Sequence, residues 1–222
     1  LKTAAKGTGD QAYIFFTPNS SVNYIRGTIP VGNESFTVKA AAADAVNLFS
    51  NKMNNALKQS GCQDVEVKSV QNYDRKAFQQ INQTLLYSFF SPTLDSINYW
   101  FLKKSVNLFG ESFVKSIGYE KRKTGSTDSG VSVIRDFWSK NGINKSALKM
   151  IDGSGLSPAN RVTTKALVTV MQFAKSRPWF DSFFHALPEM NGIKMKDGYI
   201  GGVRSYTGYI RSKNGNEFIF SF

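Results

Sequence analysis

Three stretches of this chain carry residue types that could do chemistry together. Lys104 to Glu111 reads KSVNLFGE and holds the triplet Ser105-Val106-Asn107. Asp152 to Thr164 reads DGSGLSPANRVTT, and Met195 to Ile210 reads MKDGYIGGVRSYTGYI, opening on Lys196-Asp197-Gly198. A hydroxyl, a carboxamide and an ammonium are the groups that acyl transfer at an amide calls for. The nucleophile must lose a proton, the leaving amine must gain one, and the shuttle between them has to touch both. A Ser-x-Asn triplet alone carries little information. As an ordered set, the three stretches carry much more.

Composition narrows the alternatives. At 222 residues the chain holds one domain, or one domain and a smaller piece. An apolar content of 41% is ample for a core and argues against disorder. The formal charge of +12 would favour an anionic partner. The basic residues are scattered, however, and the short clusters Lys103-Lys104 and Lys121-Arg122-Lys123 come with no nucleic-acid signature. A basic, solvated surface is the reading, and no nucleic-acid partner is expected. A single cysteine, Cys62, excludes an internal disulfide, and a single histidine, His185, excludes histidine-pair zinc motifs. No apolar run approaches the ~18 residues of a membrane span. LKTAAKGTGD at the N-terminus lacks the apolar core of a signal peptide, and EFIFSF at the other end stops within an expected strand. The chain therefore reads as a mature end or a cut within a longer protein.

The elements that must position the three stretches follow from periodicity. Ala12 to Thr17 and Val22 to Ile29 read as strands around Pro18-Asn19-Ser20-Ser21. Ala42, Val46, Phe49, Met53 and Leu57 put one apolar face on a helix over 38–60, stopped at Gly61. A strand is expected over 64–70. Gln83 to Ser91 reads as a buried strand leading into a short helix from Pro92 to Phe101. Ser105 then lies at a junction, with a helix from Asn107 to Ile117 ended by Gly118 and a loop over 119–130. A helix over 131–140 and a short strand over 147–151 come next. Thr163 or Thr164 caps a helix to about Lys175, and a further helix spans 179–187. Val203 to Ser212 and Glu217 to Phe222 flank Asn214-Gly215, the pair favoured in type I′ hairpins, so the chain should close in a three-stranded antiparallel meander. Phe218, Phe220 and Phe222 would share one face of the last strand.

With these residues in view, the chain resembles the D-alanyl-D-alanine carboxypeptidase/endopeptidases of the penicillin-binding protein four type. KSVNLFGE is similar to that family's Ser-x-Asn helix start, DGSGLSPANRVTT to a stretch between its last two motifs, and MKDGYIGGVRSYTGY to its Lys-Thr-Gly strand. YIRGTIP, from Tyr24 to Pro30, resembles the segment leading out of the family's inserted domains. The resemblance implies an α+β fold: an antiparallel sheet flanked by helices over residues 81–222, incomplete as a transpeptidase-like domain, preceded by an α+β remnant of inserted domains over 1–80. It implies a periplasmic enzyme that cleaves peptidoglycan stem peptides through an acyl-serine, is inhibited by β-lactams, and uses no cofactor or metal. By the same resemblance Ser105 is the proton shuttle, and Asn107 holds the acylated serine's lysine and the substrate amide. Lys196 brings charge to the substrate carboxylate, and the strand around Gly198 pairs with the peptide.

Two departures stand out. The family's Ser-x-x-Lys lies well before Ser-x-Asn, whereas Ser112-Phe113-Val114-Lys115 and Ser146-Ala147-Leu148-Lys149 both follow it. Both are taken as chance matches, as is Lys123-Thr124-Gly125, and the nucleophile is expected on a segment upstream of Leu1. Secondly, Asp197 stands where the family has Thr or Ser. A carboxylate there would repel a substrate carboxylate and neutralise Lys196. That opens a second reading, a catalytically inactive relative that binds peptidoglycan or a partner protein. Plainer roles exist for each residue: Ser105 or Asn107 as a helix N-cap, Lys196 as an edge-strand lysine, His185 as a packed or surface residue.

Overall fold

The computed structural model describes residues 1–8, 11–16, 22–32, 35–38, 40, 42–62, 64–65, 67, 87–200 and 202–222. The chain divides into two compact units, Leu1–Leu86 and Tyr87–Phe222. In the first, β1 (Lys2–Ala4), β2 (Gln11–Phe16) and β3 (Asn23–Pro30) form a sheet in the order β1-β3-β2. β3 runs parallel to β1 and antiparallel to β2, with Ala12 opposite Gly27. Gly27 adopts φ +120, and a Cβ there would run into the Gln11 carbonyl. α1 (Ala45–Gln59) starts later than its apolar spacing suggests, because Asp44 Oδ1 accepts the Asn47 amide at 2.9 Å and caps it. It stops at Gly61 in the left-handed region, as expected. The strand expected over 64–70 lies largely outside the described residues.

The second unit opens with a correction. Tyr87 to Ser91 forms no strand, and Tyr87, Phe89 and Phe90 are 78%, 79% and 86% exposed. Residues 83–86 of that expected strand lie outside the described residues. An apolar run specifies burial only if a partner strand is present, and none pairs with 87–91 among the described residues.

From there the helices follow closely. Thr93 caps α2 (Leu94–Lys104), and α3 (Asn107–Arg122) and α4 (Thr127–Lys140) form an antiparallel pair. Gly118 does not end a helix. It lies buried inside α3 and meets Gly130 of α4, where a Cβ on Gly130 would strike the Val114 carbonyl. The true stop is Lys123, with φ 57, whose amide donates to the Tyr119 carbonyl at 2.8 Å. The expected loop over 119–130 thus shrinks to the turn between the two helices.

β4 (Leu148–Lys149) pairs with β5 (Arg161–Val162) and closes the intervening loop at its base. α5 (Thr164–Lys175) is capped by Thr163, whose Oγ1 accepts the Ala166 amide at 3.2 Å. α6 (Phe180–Ala186) packs beside α2. The final sheet has four strands, not three: β6 (Glu189–Met190), β7 (Ile193–Ile200), β8 (Val203–Arg211) and β9 (Glu217–Ser221), in that order and all antiparallel. Asn191 and Gly192, both at positive φ, make the extra hairpin that joins β6 to β7. The β8–β9 turn differs from the type I′ expectation. Gly215 donates to the Ser212 carbonyl at 2.9 Å and is itself left-handed, while Asn214 is not. This is a three-residue loop in which the glycine makes the bulge.

The core forms where α5 and α6 meet this sheet. Met171, Leu187 and Tyr209 are buried, with Leu102, Phe180, Phe183, Phe184 and Ile219 around them. Tyr209 donates its hydroxyl to the Met171 carbonyl at 2.7 Å, and burial pushes its pKa up to about 12. On β9 the core-facing side chain is Ile219. Phe220 and Phe222 stack at 5.8 Å on the opposite face, so the phenylalanines do share a face, away from this cluster.

The α3–α4 crossing admits no side chain. Gly130→Ala is expected to lower stability by about 3 kcal/mol through forced separation of the helices, read from the urea midpoint by far-UV circular dichroism.

Candidate active site

Ser105 sits between two helices that leave it little freedom. α2 ends there with φ 49 and ψ 50, a left-handed conformation in which serine is uncommon. Val106 is extended, and α3 begins at Asn107 with no side-chain cap. The capping roles considered for Ser105 and Asn107 are therefore not what the structure uses. Both side chains are exposed. The end of α2 is held from below, where Lys103 Nζ donates to the Leu187 carbonyl at 2.8 Å. Tyr99 on the same helix stacks on His185 at 5.4 Å, so the lone histidine is an exposed residue resting on that ring.

α3 carries that junction to the loop between β4 and β5. Gly110 and Gly153 meet backbone to backbone, and a Cβ on either would occupy the other's carbonyl oxygen. Directly after Gly110, Glu111 Oε1 accepts the amides of Gly153 and Ser154, each at 3.0 Å. Within the loop, Asp152 Oδ1 accepts from the Gly155 amide at 2.6 Å and from Asn160 Nδ2 at 3.0 Å. Its Oδ2 accepts the Ser157 amide at 2.7 Å, and Asn160 Oδ1 accepts the Ile151 amide at 2.8 Å. Burial alone would raise the Asp152 pKa, but the hydrogen bonds from Asn160, Ser157, Gly155 and Ser154 together hold it below the ordinary value of 3.8. Glu111, Asp152 and Asn160 were visible in the motifs. Their structural roles were not, because each of the three partnerships reaches across the fold or the loop.

β7 completes the site. Asp152, Gly153 and Gly155 line a cavity of about 620 Å³ together with Gly198, Tyr199 and Ser205. Ser105, Asn107 and Lys196 do not line it, and no hydrogen bond joins Ser105 or Asn107 to Lys196 among the described residues. What the fold brings together is the loop attached to the Ser105 helix and the strand that carries Lys196. One edge of that strand is open. β6 covers only Ile193 and Lys194, and Met195 donates its amide to the Pro188 carbonyl at 3.0 Å. By alternation, the backbone groups of Asp197 and Tyr199 point to the same side, where no described strand pairs with them.

On that edge Lys196 Nζ donates to the Asp197 carbonyl at 2.9 Å and to Asp197 Oδ1 at 3.1 Å. Burial would raise the Asp197 pKa, yet the hydrogen bond and charge of Lys196 outweigh it and hold the carboxyl below its ordinary range. The serines of the two later Ser-x-x-Lys matches make hydrogen bonds of their own. Ser112 Oγ donates to the Leu108 carbonyl within α3, and Ser146 Oγ to Asn144 Oδ1.

This α+β arrangement is that of the penicillin-binding fold. A crystal structure of penicillin binding protein 4 from Haemophilus influenzae, complexed with a novel β-lactam, superposes with a TM-score of 0.76 at 17% identity, covering 100% of this chain and 56% of that one. A second structure of that protein gives a TM-score of 0.51 at 20% identity, over 57% of this chain and 32% of the other. Sequence takes the assignment further. Residues 5–222 match the D-Ala-D-Ala carboxypeptidase 3 (S13) family, and the chain belongs to it. A D-alanyl-D-alanine carboxypeptidase from Actinomadura sp. (strain R39) is 26% identical over 240 residues, 99% of this chain and 44% of that protein. The chain thus spans less than half the length of that relative.

Two outcomes are expected from the loop geometry. Glu111→Ala leaves two loop amides without their acceptor and should cost about 2 kcal/mol in urea denaturation. Because the folded pKa of Asp152 is depressed, its stabilising contribution is complete above the ordinary value of 3.8 and declines as pH falls through the lower folded value. Asp152→Asn should flatten the acid limb of a stability–pH profile relative to the unsubstituted chain.

Proposed function

We propose that this chain is the later part of a serine-type D-Ala-D-Ala carboxypeptidase/endopeptidase that cleaves peptidoglycan stem peptides in the periplasm. In this reading residues 81–222 are part of the catalytic domain and residues 1–80 belong to an inserted accessory domain. The nucleophilic serine and its lysine lie on a segment upstream of Leu1. The observation that supports the proposal most is the placement of Ser105. Its exposed hydroxyl sits on a left-handed junction, and the helix that follows is locked to the loop facing the Lys196 strand. Unusual backbone at an exposed hydroxyl is a common property of reacting sites.

The chemistry follows from these positions. The upstream serine Oγ attacks the carbonyl carbon of the penultimate D-Ala, and the C–N bond to the leaving residue breaks. Ser105 relays the proton lost by the nucleophile to the departing amine, and Asn107 holds the nucleophile's lysine and the substrate amide. The acyl-serine ester then reacts with water, which supplies the hydroxyl of the new carboxylate and returns a proton to the serine. The open edge of β7 pairs with the extended peptide, and an amide on that edge, Tyr199 by its parity with Met195, donates to the oxyanion. Exposed Ser105 and Asn107 and the unfilled edge fit a working site better than an inactive binding module. β-Lactams, which resemble the acyl-D-Ala-D-Ala amide in reactivity, would acylate the same serine.

Intact-protein mass after prolonged incubation with excess β-lactam tests this on the 222-residue chain and on its full-length parent. An adduct on the parent alone is expected. An adduct on the 222-residue chain would relocate the nucleophile to Ser112 or Ser146, and no adduct on either would remove the acyl-serine reading. In the parent, Ser105→Ala should slow acylation by roughly 100- to 10,000-fold, the usual contribution of a positioned proton carrier.

A further inference from the structure

Lys196 and Asp197 are adjacent on β7, so alternation sends their side chains to opposite faces of the sheet. They meet nonetheless. The open edge lets the four-carbon stem of Lys196 curl around the strand, so its ammonium reaches both the carbonyl and the carboxylate of Asp197. The two side chains are 25% and 39% exposed, so the pair is half-buried on the open edge of β7 and outside the core. Arg204, on the neighbouring strand, is directed over the Tyr206 ring at 5.7 Å and exerts the weakest Coulombic pull on Asp197 among the groups that lower its pKa.

This pairing alters what the strand offers a ligand. An unpaired lysine here would present one positive charge to a carboxylate. Lys196 and Asp197 together present no net charge, and two acceptors already hold the ammonium. A carboxylate drawn toward Lys196 comes within reach of the Asp197 carboxylate, and like charges in a shared site are costly. A carboxamide meets no such repulsion, and its N–H can donate to Asp197 in a charge-assisted hydrogen bond.

We propose that Asp197 determines specificity, selecting peptides whose leaving amine carries no adjacent free carboxylate, as in a carboxamide-terminated residue or a side-chain amine. The proposal rests on the acyl-serine reading above. It narrows the substrate class within that reading, away from free D-Ala-D-Ala termini and toward amidated or side-chain-linked peptides.

The test compares kcat/KM of the full-length parent on an acyl-D-Ala-D-Ala peptide and on the same peptide with a C-terminal carboxamide. The unsubstituted protein should favour the carboxamide by about tenfold or more, and Asp197→Thr and Asp197→Asn should each shift the ratio toward the free acid by about tenfold. A parent that prefers the free acid, or a ratio unmoved in both variants, would overturn the proposal. Acylation of the unsubstituted parent by a β-lactam separates the two layers. Acylation with an unmoved ratio defeats the specificity alone, whereas no acylation and no hydrolysis of either peptide defeats the acyl-serine reading and this one with it.

Discussion

The site depends on one close approach. Gly110 of α3 and Gly153 of the β4–β5 loop touch through their backbones, and no other residue type could stand at either place without parting them. Immediately beside that contact, the Glu111 carboxylate gathers two loop amides that would otherwise be unpaired. The consequence reaches both ways along the chain. Toward the N-terminus, the start of α3 and therefore Asn107 and Ser105 are set relative to the loop. Toward the C-terminus, the loop is set against β7 across the cavity that Gly198 helps line.

The electrostatics of the site follow the same economy of contacts. Asp152 is surrounded by donors and is fully committed to the loop's shape. Asp197 is bound by a lysine that the family resemblance assigns to substrate. A half-buried ion pair between neighbours on one strand adds little to stability. Its effect is on what the open edge of β7 presents, since a carboxylate and an ammonium one residue apart cancel where a threonine would leave the lysine's charge free.

Much of this was readable in the residues themselves. Thr163 caps its helix as expected, and most helices and the β8 and β9 strands lie where periodicity put them. Gly118 misled, because a glycine inside a helix and one ending a helix look the same until the partner helix is present. Here the partner is Gly130, and the glycine is an interface. Asn191-Gly192 carries the same signal as Asn214-Gly215, yet the former makes the two-residue hairpin and the latter a bulged three-residue turn. The apolar run 87–91 was read as buried, and its aromatic side chains are exposed. Hydrophobicity states a preference for a partner without supplying one.

Local order and spacing determined most of the helices and the closing strands, and the resemblance to a known family supplied the reading of Ser-x-Asn, the glycine-rich loop and the Lys-x-Gly strand as one ordered set. Those helices and strands are set by interactions within a few residues, which periodicity and turn chemistry report directly. Tertiary structure alone decided that Ser105 is a left-handed residue between helices, that Glu111 is the anchor of the loop, and that Lys196 turns back onto Asp197. The Glu111 anchor depends on a contact over some 40 residues and the turn of Lys196 on an edge left open by strand pairing, and neither distance nor openness is written in local sequence.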